Sequence, residues 1–168
     1  RFAQIVALIA LPLVALYPLM KLITWWPQAW LGVVFSWGAL VGGAAVAVPD
    51  GVPSEAIALF VGCMMWTIAY DTIYALQDRE DDALIGVRST ARLFAAQWRT
   101  WTTLFYVLAL FLWGTAAALA GAPLITFAAL AAMAAHPVVY LAATTRAVVP
   151  DALAVTCKPP NAPIWKPR

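Results

Sequence analysis

The chain has 168 residues, 64% of them hydrophobic and 11% charged, with a formal net charge of +2 and a mean hydropathy of +0.85. A soluble domain is nearer half apolar and a quarter charged, so lipid rather than water is the expected main solvent. A net charge of +2 is too small to argue for nucleic-acid binding, and Cys63 and Cys157 match no metal-ligand spacing.

A membrane-spanning helix needs roughly 20 mostly apolar residues. Five stretches supply them, at 2–20, 28–48, 55–77, 101–120 and 124–145. The expected fold class is therefore all-α integral membrane, a multi-helix transmembrane bundle. The first stretch begins at Arg1-Phe2-Ala3-Gln4-Ile5, inside an apolar run with no initiator Met, which suggests a record starting partway through a longer protein. Pro27 and Pro123 suit helix starts, where a missing N–H costs little. Ser54 reads as a helix cap with Glu55 favourable to the dipole. Gly121-Ala122-Pro123 makes a tight turn, so the fourth and fifth helices should be antiparallel neighbours.

The 78–99 connection is the one long polar loop, and Ser89 and Thr90 are candidate caps for a short helix over 91–98 with Leu93 and Phe94 partly against the bundle. That helix reads as an interfacial connector or a lid over a membrane mouth. The chain divides into a transmembrane part, 1–147, and an atypical tail, 148–168, whose Pro/Lys-rich composition reads as disordered.

The basic residues set the expected orientation. Connections after the first, third and fifth helices share one face and hold Lys21, Arg79, Arg88, Arg92, Arg99 and Arg146, whereas 49–54 and 121–123 hold no Lys or Arg. The positive-inside rule places the first set in the cytoplasm. Trp25, Trp26, Trp30, Trp98 and Trp101 fall near the same face, as an interfacial belt would.

Five of the eight acids lie in 70–82: Asp71, Asp78, Glu80, Asp81 and Asp82. On a continuous helix Asp71, Tyr74 and Asp78 share one face, and Asp78 and Asp82 are neighbours four apart. Asp71 lies about two turns inside an apolar helix, where an acid is expensive and marks a functional hypothesis. Clustered carboxylates need an offset. Arg79, Arg88 and Arg92 offer one as a solvated ion-pair network. A hard divalent cation shared with substrate phosphates is the other, since Mg²⁺ takes one or two protein carboxylates and fills its shell with phosphate and water oxygens. Burial of Asp71 favours the cation. Tyr17 and Lys21, four apart at the same face, offer a phenol and an ammonium for a diphosphate; by themselves they read equally as an interfacial Tyr and a snorkelling Lys. His136, directly before Pro137, reads as a packed residue rather than a ligand.

Tyr-Asp-Thr-Ile-Tyr-Ala-Leu-Gln-Asp-Arg-Glu-Asp-Asp at 70–82, followed by Ile-Gly-Val-Arg-Ser-Thr-Ala at 85–91, strongly resembles the second aspartate motif of the UbiA prenyltransferase superfamily. Its 4-hydroxybenzoate polyprenyltransferase branch, in ubiquinone biosynthesis, is the nearest likeness. Tyr-Pro-Leu-Met-Lys at 17–21, with Pro27-Gln28 and Leu31-Gly32 after it, is similar to the Tyr-x-x-x-Lys region of that branch.

The resemblance implies a bundle of nine transmembrane helices, of which about five are here, and transfer of a polyprenyl group from its diphosphate to an aromatic acceptor. It implies Mg²⁺ as cofactor, with Asp78 and Asp82 as metal-binding and catalytic carboxylates and Asp71 as the upstream catalytic aspartate. It also implies that Tyr17, Lys21 and Arg88 contact the diphosphate. The family's first motif, Asn-Asp-x-x-Asp-x-x-x-Asp, is absent from this sequence. The chain is therefore expected to be the C-terminal part of such an enzyme, inactive alone and completed by an N-terminal half with the first motif. The expected setting is a bacterial inner membrane with the Asp-rich loop cytoplasmic. Competing expectations are another branch of the superfamily and a fragment of a secondary transporter, whose acids would gather nearer the bilayer midplane.

Overall fold

The computed structural model of the chain describes residues 1–47 and 51–143. The expected tail at 148–168, with Cys157, and the fifth connection with Arg146 lie outside the described residues. The elements are α1 Phe2–Ile23, α2 Pro27–Val46, α3 Ser54–Tyr74, α4 Arg79–Leu84, α5 Thr90–Phe94, a 3-10 turn Ala95–Gln97, α6 Trp98–Leu119 and α7 Leu124–Met133. Helix resumes over 135–143 after a turn at Ala134. Five segments are long and apolar enough to cross a bilayer, in the order read from the sequence.

The helices pack in chain order, α1 on α2, α2 on α3, α3 on α6 and α6 on α7, so α3 is held on both sides. Lipid tails are as apolar as Leu, so close approach and hydrogen bonds hold such helices together rather than hydrophobic exclusion. Glycines open those approaches. A Cβ on Gly32 would lie 2.9 Å from Met64 Cγ, one on Gly62 would lie 2.6 Å from Trp113 Cδ1, and Gly43 sits directly against Ala56. Two indoles fasten α2 to α1: Trp30 Nε1 donates to Leu13 O and Trp37 Nε1 to Val6 O, both at 2.8 Å. Their spacing of seven residues, two helical turns, brings both donors to one face.

The buried core gathers at one end of the bundle, from Ile68, Ala69 and Ile73 of α3, Phe94 of α5, and Trp98, Phe105 and Tyr106 of α6. Trp98 is therefore a core residue, a correction to the expected interfacial belt. Its side chain is buried because the chain enters α6 there, within the cluster that also holds Phe94 and Phe105. Trp25, Trp26 and Trp101 remain partly exposed, although Trp26 meets Phe94 edge-on at 5.5 Å and Trp101 stacks on it at 5.2 Å.

Three local expectations change. Pro53, not Ser54, is the cap position of α3, and Ser54 Oγ donates to Glu55 Oε2 instead. Ser89 does cap α5, accepting from the Arg92 amide, but the helix is short and joins α6 through Ala95 at φ 46 rather than running over 91–98. The third span stops at Tyr74 instead of continuing through Gln77.

Candidate functional site

The early end of α3 reshapes the acidic segment. The Ala75 amide still reaches Asp71 O, but those of Leu76 and Gln77 reach only three residues back, to Ile73 O and Tyr74 O. The turn tightens, and Asp78 becomes the residue preceding α4 at φ −98, ψ 6. Asp71, Tyr74 and Asp78 are therefore not aligned along one continuous helix, which corrects the sequence expectation. Asp78 and Asp82 stay one backbone turn apart at the start of α4, where the Asp82 amide donates to Asp78 O at 2.8 Å. Both carboxylates stay accessible, Asp82 half-buried and Asp78 exposed.

Asp71 is half-buried on α3 and lies within electrostatic reach of Lys21, and Tyr17 lies within reach of Asp71. The fold thus brings together three of the predicted residues, from α1 and α3, across more than forty positions of sequence. The same end receives the loop after α4, because the Arg88 amide donates to Lys21 O at 3.0 Å.

Arg88, expected to face the diphosphate, is first of all a clamp. One guanidinium nitrogen donates to Ile23 O at 2.7 Å, a carbonyl left open at the end of α1, and the group lies 5.8 Å from the Trp25 ring. Arg92 lies over the same ring at 5.4 Å and donates to the carbonyls of Asp82 and Val87. These two arginines tie the loop together through main-chain oxygens rather than through the carboxylate ion-pair network that was one of the two alternatives.

Sequence reasoning missed a buried polar latch under this loop. Gln28 Oε1 of α2 accepts from the Thr90 amide at 3.0 Å, and the Thr90 hydroxyl meets the Thr72 hydroxyl of α3 at 2.6 Å. Thr72 also donates to Ile68 O at 2.6 Å. All three side chains are buried. The signal was present as polar residues inside apolar stretches, which are expensive in a membrane unless partnered. Their partners, 62 and 18 positions away, were not visible in sequence.

Among the described residues no three of His, Cys, Asp and Glu gather closely enough to cage a metal ion. Asp78 and Asp82 are instead an accessible, all-oxygen pair one helical turn apart. That donor set suits a hard cation completing its shell with phosphate and water, and it does not suit a closed structural site. Lys21 and Tyr17, which lie within electrostatic reach of Asp71, belong to the same end of the bundle, where the Arg88 amide meets Lys21 O.

The family model described as "UbiA prenyltransferase family" matches residues 1–155. The chain is 50% identical over 99 residues to 4-hydroxybenzoate geranyltransferase 2 of Lithospermum erythrorhizon, covering 59% of this chain and 32% of that protein. It is 46% identical over 127 residues to the mitochondrial 4-hydroxybenzoate polyprenyltransferase of Bos taurus, covering 76% and 34%. The human mitochondrial 4-hydroxybenzoate polyprenyltransferase is 43% identical over the same length and coverage. The chain spans about a third of the length of the curated relatives it matches. No solved structure matches it.

Proposed function

The chain belongs to the UbiA prenyltransferase family, and from that premise we propose that its acidic corner takes part in Mg²⁺-dependent transfer of a polyprenyl group from its diphosphate to 4-hydroxybenzoate. The observation that carries the proposal is the convergence of Tyr17, Lys21 and Asp71 at the end of the bundle where Asp78 and Asp82 lie.

In this reading Asp78 and Asp82 hold Mg²⁺. When bound, the ion supplies positive charge that offsets the diphosphate's as it departs. Lys21 donates to a diphosphate oxygen, and its ammonium stabilises the charge that grows as the allylic C–O bond breaks and its electron pair leaves with the diphosphate. Tyr17 donates a second hydrogen bond. Asp71 attracts the Lys21 ammonium and keeps it aimed. Arg88 has further N–H groups beyond the one on Ile23 O and sits beside Lys21, so it adds to the positive edge. The allylic carbon then bonds to a ring carbon of the acceptor, which releases its proton as aromaticity returns. A lipid-soluble prenyl tail suits the bilayer, and the charged diphosphate suits the cytoplasmic mouth that the positive-inside rule assigns to this end.

The test is transfer of labelled prenyl groups to 4-hydroxybenzoate by the chain in lipid nanodiscs. It is run alone and with the complementary N-terminal part of the bovine relative. Mg²⁺-dependent product that disappears in Asp78→Asn supports the proposal. Undiminished transfer in that variant, or failure of chain and complement together to give any product, overturns it.

A further inference from the structure

Lys21 and Asp71 act together in the proposed reaction, yet they sit on helices that do not pack along each other. α1 packs on α2, and α2 on α3. The spacing of the two charged groups therefore depends on what ties the helix ends together at this end of the bundle.

Residues 88–90 supply that tie. Ser89 is extended, at φ −153 and ψ 158, so the amides of Arg88 and Thr90 face one side of the segment. The first donates to Lys21 O and the second to Gln28 Oε1, both at 3.0 Å. The Arg88 guanidinium adds its bond to Ile23 O at 2.7 Å. The third helix is reached through hydroxyls, since those of Thr90 and Thr72 lie 2.6 Å apart. Thr72 has one hydroxyl hydrogen and donates it to Ile68 O, so Thr90 is the donor of the pair. Upstream, the Val87 amide donates to Asp82 O at 2.9 Å, which joins the segment to the turn carrying Asp78 and Asp82.

Thr72 and Thr90 are fully buried and Gln28 is nearly so, so water does not compete and an unmade bond is costly. Seating a loop does not require its bonds to fall beside site residues. Here α1 is gripped at the backbone of Lys21, and α3 at Thr72, which directly follows Asp71. We propose that the 88–90 segment is a strap that sets the spacing of the Lys21 ammonium and the Asp71 carboxylate, with Thr90 as a positioning residue through its hydroxyl on Thr72. The inference rests on the prenyl-transfer reading, in which Asp71 aims Lys21 at the diphosphate.

The experiment measures Mg²⁺-dependent binding of a prenyl thiodiphosphate to the chain in nanodiscs. Thr90→Val keeps the shape and the amide bond to Gln28 and removes the donor to Thr72. Affinity should fall about two- to tenfold, and Thr90→Ser, which restores the hydroxyl, should bind within about twofold of the parent. In a Lys21→Met background Thr90→Val should have no further effect, because the strap acts through Lys21. Unchanged affinity in Thr90→Val overturns the inference. So does a loss that adds in full to that of Lys21→Met, or one that Thr90→Ser shares.

A second readout needs no ligand. Spin labels at the exposed positions Leu22→Cys and Tyr74→Cys, in a Cys63→Ala/Cys157→Ala chain, report the spacing of the α1 and α3 ends. The distance distribution should broaden in Thr90→Val and narrow again in Thr90→Ser, and a distribution unchanged by Thr90→Val overturns the strap. If the parent chain binds no thiodiphosphate, the prenyl-transfer reading falls and the label distances alone decide the strap.

Discussion

Replacing Gln28 with Leu removes the one acceptor that holds the Thr90 amide. Thr90 is the first residue of α5, so its N–H has no partner inside the helix. The residue is fully buried, so water cannot substitute while the loop stays docked. An unsatisfied buried donor costs about 1–3 kcal/mol, which at about 1.4 kcal/mol per decade shifts the docked-to-undocked ratio roughly 5- to 150-fold. The Thr72–Thr90 hydroxyl contact remains and sets a floor to the damage. Hydrogen exchange of the 85–92 amides, read by mass spectrometry in nanodiscs, should accelerate by that factor, while exchange in the middle of α3 stays unchanged. The exposed Gln97→Leu serves as the control. Protection of 89–92 within twofold of the parent chain would refute the claim that this latch seats the loop.

Lys21→Met should weaken prenyl thiodiphosphate binding by about tenfold or more, measured by calorimetry, because a charge-assisted hydrogen bond is worth roughly 1.5–3 kcal/mol. Gly62→Ala places a methyl against Trp113 Cδ1 at 2.6 Å, so overpacking of about 1–3 kcal/mol should appear as a lower Tm in detergent. Arg88→Ala frees Ile23 O and Trp25. Limited trypsin cleavage at Arg79 should then quicken by up to about tenfold, since a partly exposed clamp contributes less than a buried one.

The spans were legible in the sequence because the bilayer demands a long apolar run and little else produces one. The basic loops were legible for the same reason, and Lys21 and Arg88 do lie together at one end. The end of α3 was not. Ala75, Leu76 and Gln77 are good helix formers, and only tertiary contacts that no local pattern records, from Thr72 to Thr90 and from Arg88 to α1, accompany the turn there. The backbone turn from Asp78 to Asp82 was readable because it depends on four consecutive steps. The Tyr17–Lys21–Asp71 meeting needed the ends of α1 and α3 to come within reach of each other, which the resemblance implied and spacing alone did not. Trp98 was misplaced because an aromatic at a span boundary looks the same whether lipid or the buried cluster covers it.

The central claim is that the acidic corner holds a metal-bound prenyl diphosphate. The most direct measurement is binding of a prenyl thiodiphosphate to the chain in nanodiscs, with Mg²⁺ or with EDTA, for the parent and for the Asp78→Asn/Asp82→Asn double variant. The account predicts saturable binding in Mg²⁺ that is lost in EDTA and in the double variant, with helical content by circular dichroism unchanged. Equal affinity in all conditions, with both chains folded, would contradict it.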